Sequence, residues 1–180
     1  DTLANSGAEI DDTPFILRAQ EASAAIAQAI QDGIDKGAIR LDAVFDTNYR
    51  LIQGSNPEQY DNLFCAFADK HVRPLLDRFK LTDDRVIGSA IVDMNGYLPT
   101  HLTERSMRPG SDPVWNDAHC RNKRIFMDET TRKALDSQRP TLGTYRMELG
   151  NRFVPVKNVF VPVIVSGRRW GNFELAYRDD

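Results

Sequence analysis

The dipeptide Asn95-Gly96 lies between two apolar segments and constrains the fold more than any other feature of this sequence. A two-residue hairpin loop of type I′ needs positive φ at both central residues, which Asn tolerates and Gly adopts freely. The segment from Val86 to Val92 is almost uniformly apolar and predicts a buried strand. The segment after the turn contains Pro99, which cannot donate to a strand ladder. We therefore predict a hairpin over residues 86–102, with its second arm at a sheet edge or the mouth of a pocket.

A long amphipathic helix is predicted near the N-terminus. Thr13-Pro14 is typical of an N-cap and a first helical residue, and Gly37 is placed to end the helix. Apolar residues recur between them at spacings of three and four: Phe15, Ala19, Ala22, Ile26, Ile30 and Ile34. Such a stripe faces either the core of its own domain or a second helix in a dimer seam. Residues 1–12 are polar and predict a lead-in segment.

The rest of the chain predicts further helices and then three strands. A helix is expected over residues 57–79, and Pro74 should kink it or start a new turn. Helices are also expected from Asp112-Pro113 to about Asn122 and from Asp128 to Ser137. Strands rich in β-branched and aromatic residues are expected over 141–149, 153–165 and 170–178, with bulges at Pro155 and Pro162 and a turn at 166–168.

This order predicts an α+β fold. A long N-terminal helix would lead to a central antiparallel sheet of roughly five strands, with a helical crossover covering one sheet face. The expected organisation is a lead-in over residues 1–12 and a single domain over 13–180.

Composition excludes several classes of function. The net charge is −3, which does not favour general binding to polyanions. No apolar run approaches the roughly 20 residues of a membrane-spanning helix. The two cysteines, Cys65 and Cys120, are too few for a disulfide framework. Because the sequence begins with Asp rather than Met, we expect it to be part of a longer protein.

The densest polar chemistry lies between His119 and Arg124. On a helix, Arg121 and Arg124 would share a face, and two guanidinium groups can bind a carboxylate or another anion through forked hydrogen bonds. The alternative is a solvated basic face that pairs with Asp117 and Asp128.

Several segments together resemble a sensory domain of bacterial methyl-accepting chemotaxis proteins. They are 93–101 (DMNGYLPTH), Trp115-Asn116, 119–128 (HCRNKRIFMD), 144–146 (TYR) and 168–177 (RRWGNFELAY). The predicted order of elements is also similar to that of PAS and Cache sensor folds. The resemblance implies a ligand-sensing input module without catalysis. It also implies a homodimer formed through the N-terminal helix, and signalling to CheA and CheW through the rest of the receptor. Its placement would be cytoplasmic, either free or membrane-associated, with a periplasmic placement as the alternative.

In such a fold, a pocket over the sheet would be enclosed by residues from the hairpin, the crossover and the first C-terminal strand. With the two arginines, the predicted ligand contacts are Tyr97, His101, Trp115, Arg121, Arg124, Tyr145 and Arg146. For each of them, the alternative is an ordinary core or surface role. The expected ligand is a small, anionic molecule.

Two other functions stay open at this stage. No cofactor is expected, but a non-covalent haem held by His101 or His119 would leave no short motif. No paired ligand spacing indicates a metal site, and no nucleophile elbow, phosphate loop or metalloprotease helix indicates an enzyme. A dimerisation or interaction module without a pocket is the remaining alternative.

Overall fold

The computed structural model describes residues 9–149 and 152–179. The N-terminal half contains α1 (Glu9–Asp35), α2 (Leu41–Val44), β1 (Arg50–Leu51), β2 (Tyr60–Asp61), α3 (Cys65–His71), α4 (Arg73–Lys80) and β3 (Val86–Asp93). A 3₁₀ turn (Thr103–Arg105), α5 (Pro113–His119) and α6 (Glu129–Asp136) form the crossover. The chain ends with β4 (Thr141–Leu149), β5 (Arg152–Val165) and β6 (Arg168–Arg178). The α+β class is therefore confirmed.

The central sheet is antiparallel, in the order β3-β6-β5-β4, and β1 pairs with β2 in a separate short ribbon. The central sheet thus has four strands within the described residues, not the five predicted. Phe173 in the middle of β6 pairs with Ile91 on β3 and with Val161 on β5. These side chains share one face of the sheet with the core against α1, and the alternate residues face the crossover.

The missing strand is the second arm of the hairpin predicted over residues 86–102. A turn does form at Asn95-Gly96, but only Gly96 has positive φ, so it is not a type I′ turn. The carboxylate of Asp93 accepts the backbone N–H of Asn95 at 2.9 Å and that of Tyr97 at 3.0 Å. The chain then leaves β3, and Leu98 donates its N–H to Arg124 at 3.0 Å. Asp93 also donates its backbone N–H to the Tyr97 carbonyl at 2.9 Å. The turn is therefore closed by this backbone bond and by side-chain capping, but the strand pairing that the dipeptide predicted does not continue beyond it.

The tight hairpin of positive-φ residues lies instead between β5 and β6. Ser166 and Gly167 have φ of 51° and 74°, as a type I′ loop requires. The predicted turn at 166–168 is thus confirmed. A register shift between Val163 and Ile164 directly follows Pro162, where a bulge was expected.

The apolar stripe of α1 packs on the sheet. Phe15, Ala19, Ala22, Ile26 and Ile30 are all buried in the main core. This face is therefore the core face of its own domain, and it is not available as a dimer seam. Dimerisation through another face of the helix stays a prediction.

The start of α1 differs from the prediction. Residues Glu9–Asp12 belong to the helix, so Pro14 is an internal residue rather than the first helical one. Residues 1–8 of the predicted lead-in lie outside the described residues. Asp12 is fully buried, and its carboxylate accepts hydrogen bonds from Lys157 Nζ at 2.9 Å and Tyr177 Oη at 2.8 Å. This buried anchor extends the helix beyond the expected cap and ties it to β5 and β6.

The shorter helices largely follow the sequence signals. The helix expected over 57–79 forms only from Cys65 onward, where it is divided into α3 and α4, and Pro74 occupies the first turn of α4 as predicted. Residues 57–64 are not helical, because this segment contains β2, which pairs with β1. Asp112 and Asp128 cap α5 and α6, accepting the N–H groups of Val114 at 2.9 Å and Thr131 at 2.7 Å. In contrast, α5 ends at His119, so the segment that follows is not helical. None of the helices described is both long and apolar enough to span a membrane.

Candidate functional site

The sheet face opposite α1 carries the only charged side chain in the middle of the central strand β6. Glu174 pairs with Ala90 on β3 and with Phe160 on β5, so its strand neighbours are apolar. It is half-buried, and its carboxyl group accepts no hydrogen bond from any residue that the structure describes. A carboxyl group in such surroundings must gain its partner from water or from a ligand.

Burial raises the pKa of Glu174 to about 7, and the negative charge of Asp128 adds to the effect. At neutral pH this side chain is therefore divided between its charged and neutral forms. The neutral form can donate a hydrogen bond as well as accept one.

Tyr145 on β4 pairs with Val156 and faces the crossover side of the sheet, where the charge of Arg121 after α5 reaches it. Burial and the charge of Glu174 raise the pKa of the Tyr145 phenol, and the positive charge of Arg121 opposes them. The side chain is 44% exposed, and its hydroxyl makes no hydrogen bond within the described residues.

Arg121 and Arg124 converge although they do not lie on a helix. Both guanidinium groups lie over the ring of Phe126, each 4.5 Å from its centroid. Arg124 pairs with the carboxylate of Asp117 at 2.9 Å, and Arg121 reaches the same carboxylate only at 4.0 Å. The sequence left open whether these arginines bind an anion or pair with Asp117, and Arg124 does pair with Asp117. Arg121 donates one N–H to the Asp117 carbonyl at 2.9 Å, and its other donors bind no described residue.

His101 lies beside this basic group. Burial lowers the pKa of His101 to about 3, and the nearby charges of Arg121, Arg105 and Arg73 contribute. Its Nδ1 accepts the backbone N–H of Leu102 at 2.7 Å, so Nε2 carries the proton of the neutral ring and is open. Arg105 donates to the Ala118 carbonyl at 2.7 Å and has no carboxylate partner among the described residues.

We define the crossover cluster as His101, Arg105, Arg121 and Tyr145, whose charges act on one another. It presents open hydrogen-bonding groups on a partly exposed surface. Burial lowers the pKa of Arg121, and the neighbouring positive charges of Arg124 and Arg105 contribute, while Asp117 opposes them. Such a surface can bind an anion through charge-assisted hydrogen bonds.

The other predicted contacts lie elsewhere. Tyr97 is fully buried, and its hydroxyl contacts Cys65 Sγ at 3.0 Å and donates to the Tyr60 carbonyl. Trp115 and His119 stack on each other on α5, with ring centroids 4.4 Å apart, and His119 Nδ1 contacts the Trp115 carbonyl at 2.9 Å. None of these three side chains has a described contact with the crossover cluster.

Arg146 faces away from Tyr145, because adjacent strand residues point to opposite faces. It pairs with Pro155, which shares a sheet face with Lys157, and Lys157 binds Asp12 of α1. Arg146 lines a shallow hollow with Phe153 and Pro155 on that side. The structure therefore does not bring Arg146 together with the other predicted ligand contacts.

A small cavity of about 80 Å³ lies at another edge of the sheet, between the loop after α2 and the start of β6. Phe45, Asp93 and Arg168 are among its lining residues. Its volume suits a few water molecules and is well below that of typical small-molecule sites.

Arg105 of the crossover cluster and Glu174 on the same side of the sheet are residues that the sequence did not lead us to select. The available signal was the alternation along β6, where Phe173, Leu175 and Tyr177 form the core face. A glutamate between them must face the crossover, and a charged side chain under a covered sheet face indicates a site.

Comparisons with known proteins give no family assignment: no family model and no curated protein matches the sequence. Among solved structures, one similar chain is an extracellular ligand-binding receptor from Desulfohalobium retbaense, with TM-score 0.41 and 10% identity over 89% of this chain and 24% of that one. A domain of a putative sensory box/GGDEF family protein from Vibrio parahaemolyticus has TM-score 0.39 and 12% identity over 96% of this chain and 62% of that one. A structure of methyl-accepting chemotaxis protein X has TM-score 0.37 and 16% identity over 93% of this chain and 63% of that one.

The chain thus spans less than two thirds of each of these three structures. TM-scores below 0.5 do not establish a shared fold, and we draw no function from them.

Proposed function

We propose that this chain is a PAS/Cache-like, ligand-sensing input domain of a methyl-accepting chemotaxis receptor, and that it binds a small anionic molecule. The observation that supports the site is the pair of guanidinium groups, Arg105 and Arg121, with open donors beside a neutral His101. Among the described residues, Asp117 is the carboxylate within salt-bridge distance of Arg121, and Arg124 already binds it at 2.9 Å, so an incoming carboxylate would supply missing charge compensation. The receptor context rests on the sequence resemblance.

In this proposal, ligand binding favours one arrangement of the crossover relative to the sheet. The change would reach CheA and CheW through the rest of the receptor, in a homodimer and from a cytoplasmic domain. Its extent is limited by the difference in ligand affinity between the two arrangements. No catalytic step is part of the proposal.

The test is a thermal-shift screen with acetate, lactate, pyruvate, malate and succinate, followed by calorimetry of the compound that stabilises most. Replacing Arg121 with Ala should weaken binding at least tenfold, because a charge-assisted hydrogen bond contributes roughly 1.5–3 kcal/mol. Arg146→Ala is the matched control, since it removes the same charge from the opposite sheet face. Equal loss in both variants, or unchanged affinity in Arg121→Ala, would contradict the proposed site.

A haem sensor is the second candidate, favoured by the open Nε2 of a neutral His101. An absorbance spectrum and native mass spectrum of the gently purified protein separate the two. A Soret band that is lost in His101→Ala would support haem. Extra mass without colour would support a small ligand.

A further inference from the structure

Three arginines meet at the C-terminal end of α5. Arg105 donates from Nη1 to the Ala118 carbonyl at 2.7 Å, and Arg121 donates from Nη1 to the Asp117 carbonyl at 2.9 Å. Arg124 reaches the same Asp117 carbonyl at 3.3 Å, also from Nη1. Because the two acceptors belong to consecutive residues, the three guanidinium groups lie side by side.

The backbone holds two of these arginines directly opposite each other. Ser106 forms an antiparallel bridge with Cys120, and in the adjoining pair the Arg121 N–H donates to the Arg105 carbonyl at 2.7 Å. The two side chains of such a pair project to the same side, and like charges directly opposite each other are destabilising. This placement is therefore unfavourable unless a negative charge joins the two arginines.

The ion pairs of the described residues compensate this positive charge only in part. Arg124 pairs with the Asp117 carboxylate at 2.9 Å, and Arg121 lies 4.0 Å from the same carboxylate. Within the part of the chain that the structure describes, Arg105 has no carboxylate partner, and Asp117 is shared by the other two. Three arginines and one carboxylate leave two positive charges, and the backbone carbonyls at the end of a helix carry only partial charges.

The remaining donors of the three guanidinium groups suit an anion with several oxygens. In their hydrogen bonds to described residues, all three groups use Nη1, which leaves the edge formed by Nε and Nη2. That edge can bind two oxygens of a phosphate in a forked arrangement. The side chains of Arg121 and Arg124 are 35% and 13% exposed, so an anion can reach them from solvent and still be partly shielded from it.

We propose that Arg105, Arg121 and Arg124 form a binding site for a phosphate dianion, either inorganic phosphate or the phosphate group of a monoester. This inference rests on the proposed function and names the class of anion that the same site prefers. A dicarboxylate carries its two charges at separate ends of a carbon chain. A phosphate presents two charges and three oxygens at one point, which fits guanidinium groups that lie side by side.

The experiment is calorimetry in Tris buffer at pH 8 with methyl phosphate, dimethyl phosphate, inorganic phosphate and acetate. Methyl phosphate is a dianion at this pH, whereas dimethyl phosphate has the same tetrahedral group with one negative charge. We expect the Kd of methyl phosphate to be at least tenfold lower than that of dimethyl phosphate or acetate. Tighter binding of inorganic phosphate than of methyl phosphate would identify the free ion as the preferred form, and the reverse would identify a monoester.

Two substitutions should change the affinity in opposite directions. Arg105→Gln removes one positive charge, and its amide can still donate to the Ala118 carbonyl. It should raise the Kd of methyl phosphate at least tenfold and leave that of dimethyl phosphate within about threefold, because Arg121 still compensates a single charge. Asp117→Asn removes the competing carboxylate and should lower the Kd of methyl phosphate by about threefold or more. Arg146→Gln is the matched control on the opposite sheet face and should leave both Kd values within about twofold.

The possible failures are distinct. Equal Kd values for methyl phosphate, dimethyl phosphate and acetate would overturn the preference for a dianion and leave the proposed function intact. Equal weakening in Arg105→Gln and Arg146→Gln would indicate a general effect of charge and overturn the site. Binding of a carboxylate together with no binding of any phosphate probe would overturn this inference alone. Absence of binding by every phosphate and every carboxylate would overturn both.

Discussion

Gly171 occupies a position on β6 where no side chain fits. A Cβ atom built there would lie 2.7 Å from the Asp93 Cα and 2.9 Å from the Val92 carbonyl carbon, and it would overlap the Val92 carbonyl oxygen. All three atoms belong to the backbone of β3, so no side-chain rotation can relieve the overlap. Gly171→Ala therefore has to separate β3 from β6 or distort one of them.

The change in the free energy of unfolding follows from two opposing effects. An alanine lowers the conformational entropy of the unfolded chain, and at a position with room for its Cβ this would stabilise the protein by about 0.4–1 kcal/mol. Overlap with packed backbone costs more than the 1–3 kcal/mol that is typical of overpacked side chains. We expect a net loss of about 3 kcal/mol. In a protein of this size, that corresponds to a fall in Tm of roughly 6–12 °C.

Urea unfolding followed by circular dichroism measures this loss, and Gly88→Ala is its matched control. Gly88 lies on β3 in the same sheet, has no atom within 4 Å of an added Cβ, and does not have positive φ. Its substitution should leave the free energy of unfolding within about 0.5 kcal/mol or raise it slightly. If Gly171→Ala is as stable as Gly88→Ala, the close approach of β3 and β6 described above is wrong.

Three further substitutions test other parts of the fold. Asp12→Ala should lower the free energy of unfolding, measured in urea, by roughly 2–4 kcal/mol. The buried Tyr177 hydroxyl would lose its acceptor, and Lys157 would keep its 3.3 Å contact with Asp179. Asp12→Asn should lower it by less. Glu174→Gln should raise Tm at pH 8 and leave it unchanged near pH 4. The pKa of Glu174 in the folded state, about 7, exceeds its value in the unfolded state. The unmodified protein therefore loses stability as the pH rises through 7, and the glutamine variant does not. Ile30→Asp should abolish folding rather than dissociate a dimer, as judged by circular dichroism, whereas Leu17→Asp on the exposed face should fold.

The elements with strong local signals could be predicted from the sequence. The caps Asp112 and Asp128, the break at Pro74 and the three C-terminal strands agree with the structure. The prediction of a hairpin over residues 86–102 was wrong because a turn dipeptide indicates only a local backbone preference. It does not determine which segment the following residues pair with. Here the carboxylate of Asp93 satisfies the turn, and the chain pairs with the segment around Arg124 instead.

The candidate site was predicted less well, for a geometric reason. Tyr145 and Arg146 are neighbours in sequence, and only the register of β4 on β5 decides which of them faces the crossover. Composition cannot supply that register. Arg121 and Arg124 were expected to meet through helical spacing, and they meet through a loop that closes on Asp117 and Phe126.

The alternation along β6 assigns successive residues to two different surroundings. Phe173 and Leu175 are packed in the core beneath α1, whereas Glu174 between them belongs to the opposite surface. A substitution at one set of positions therefore acts on the packing of the N-terminal helix, whereas a substitution at the other set acts on the surface beneath the crossover. The two faces of β6 can thus change independently, one residue at a time, without a change in the sheet itself.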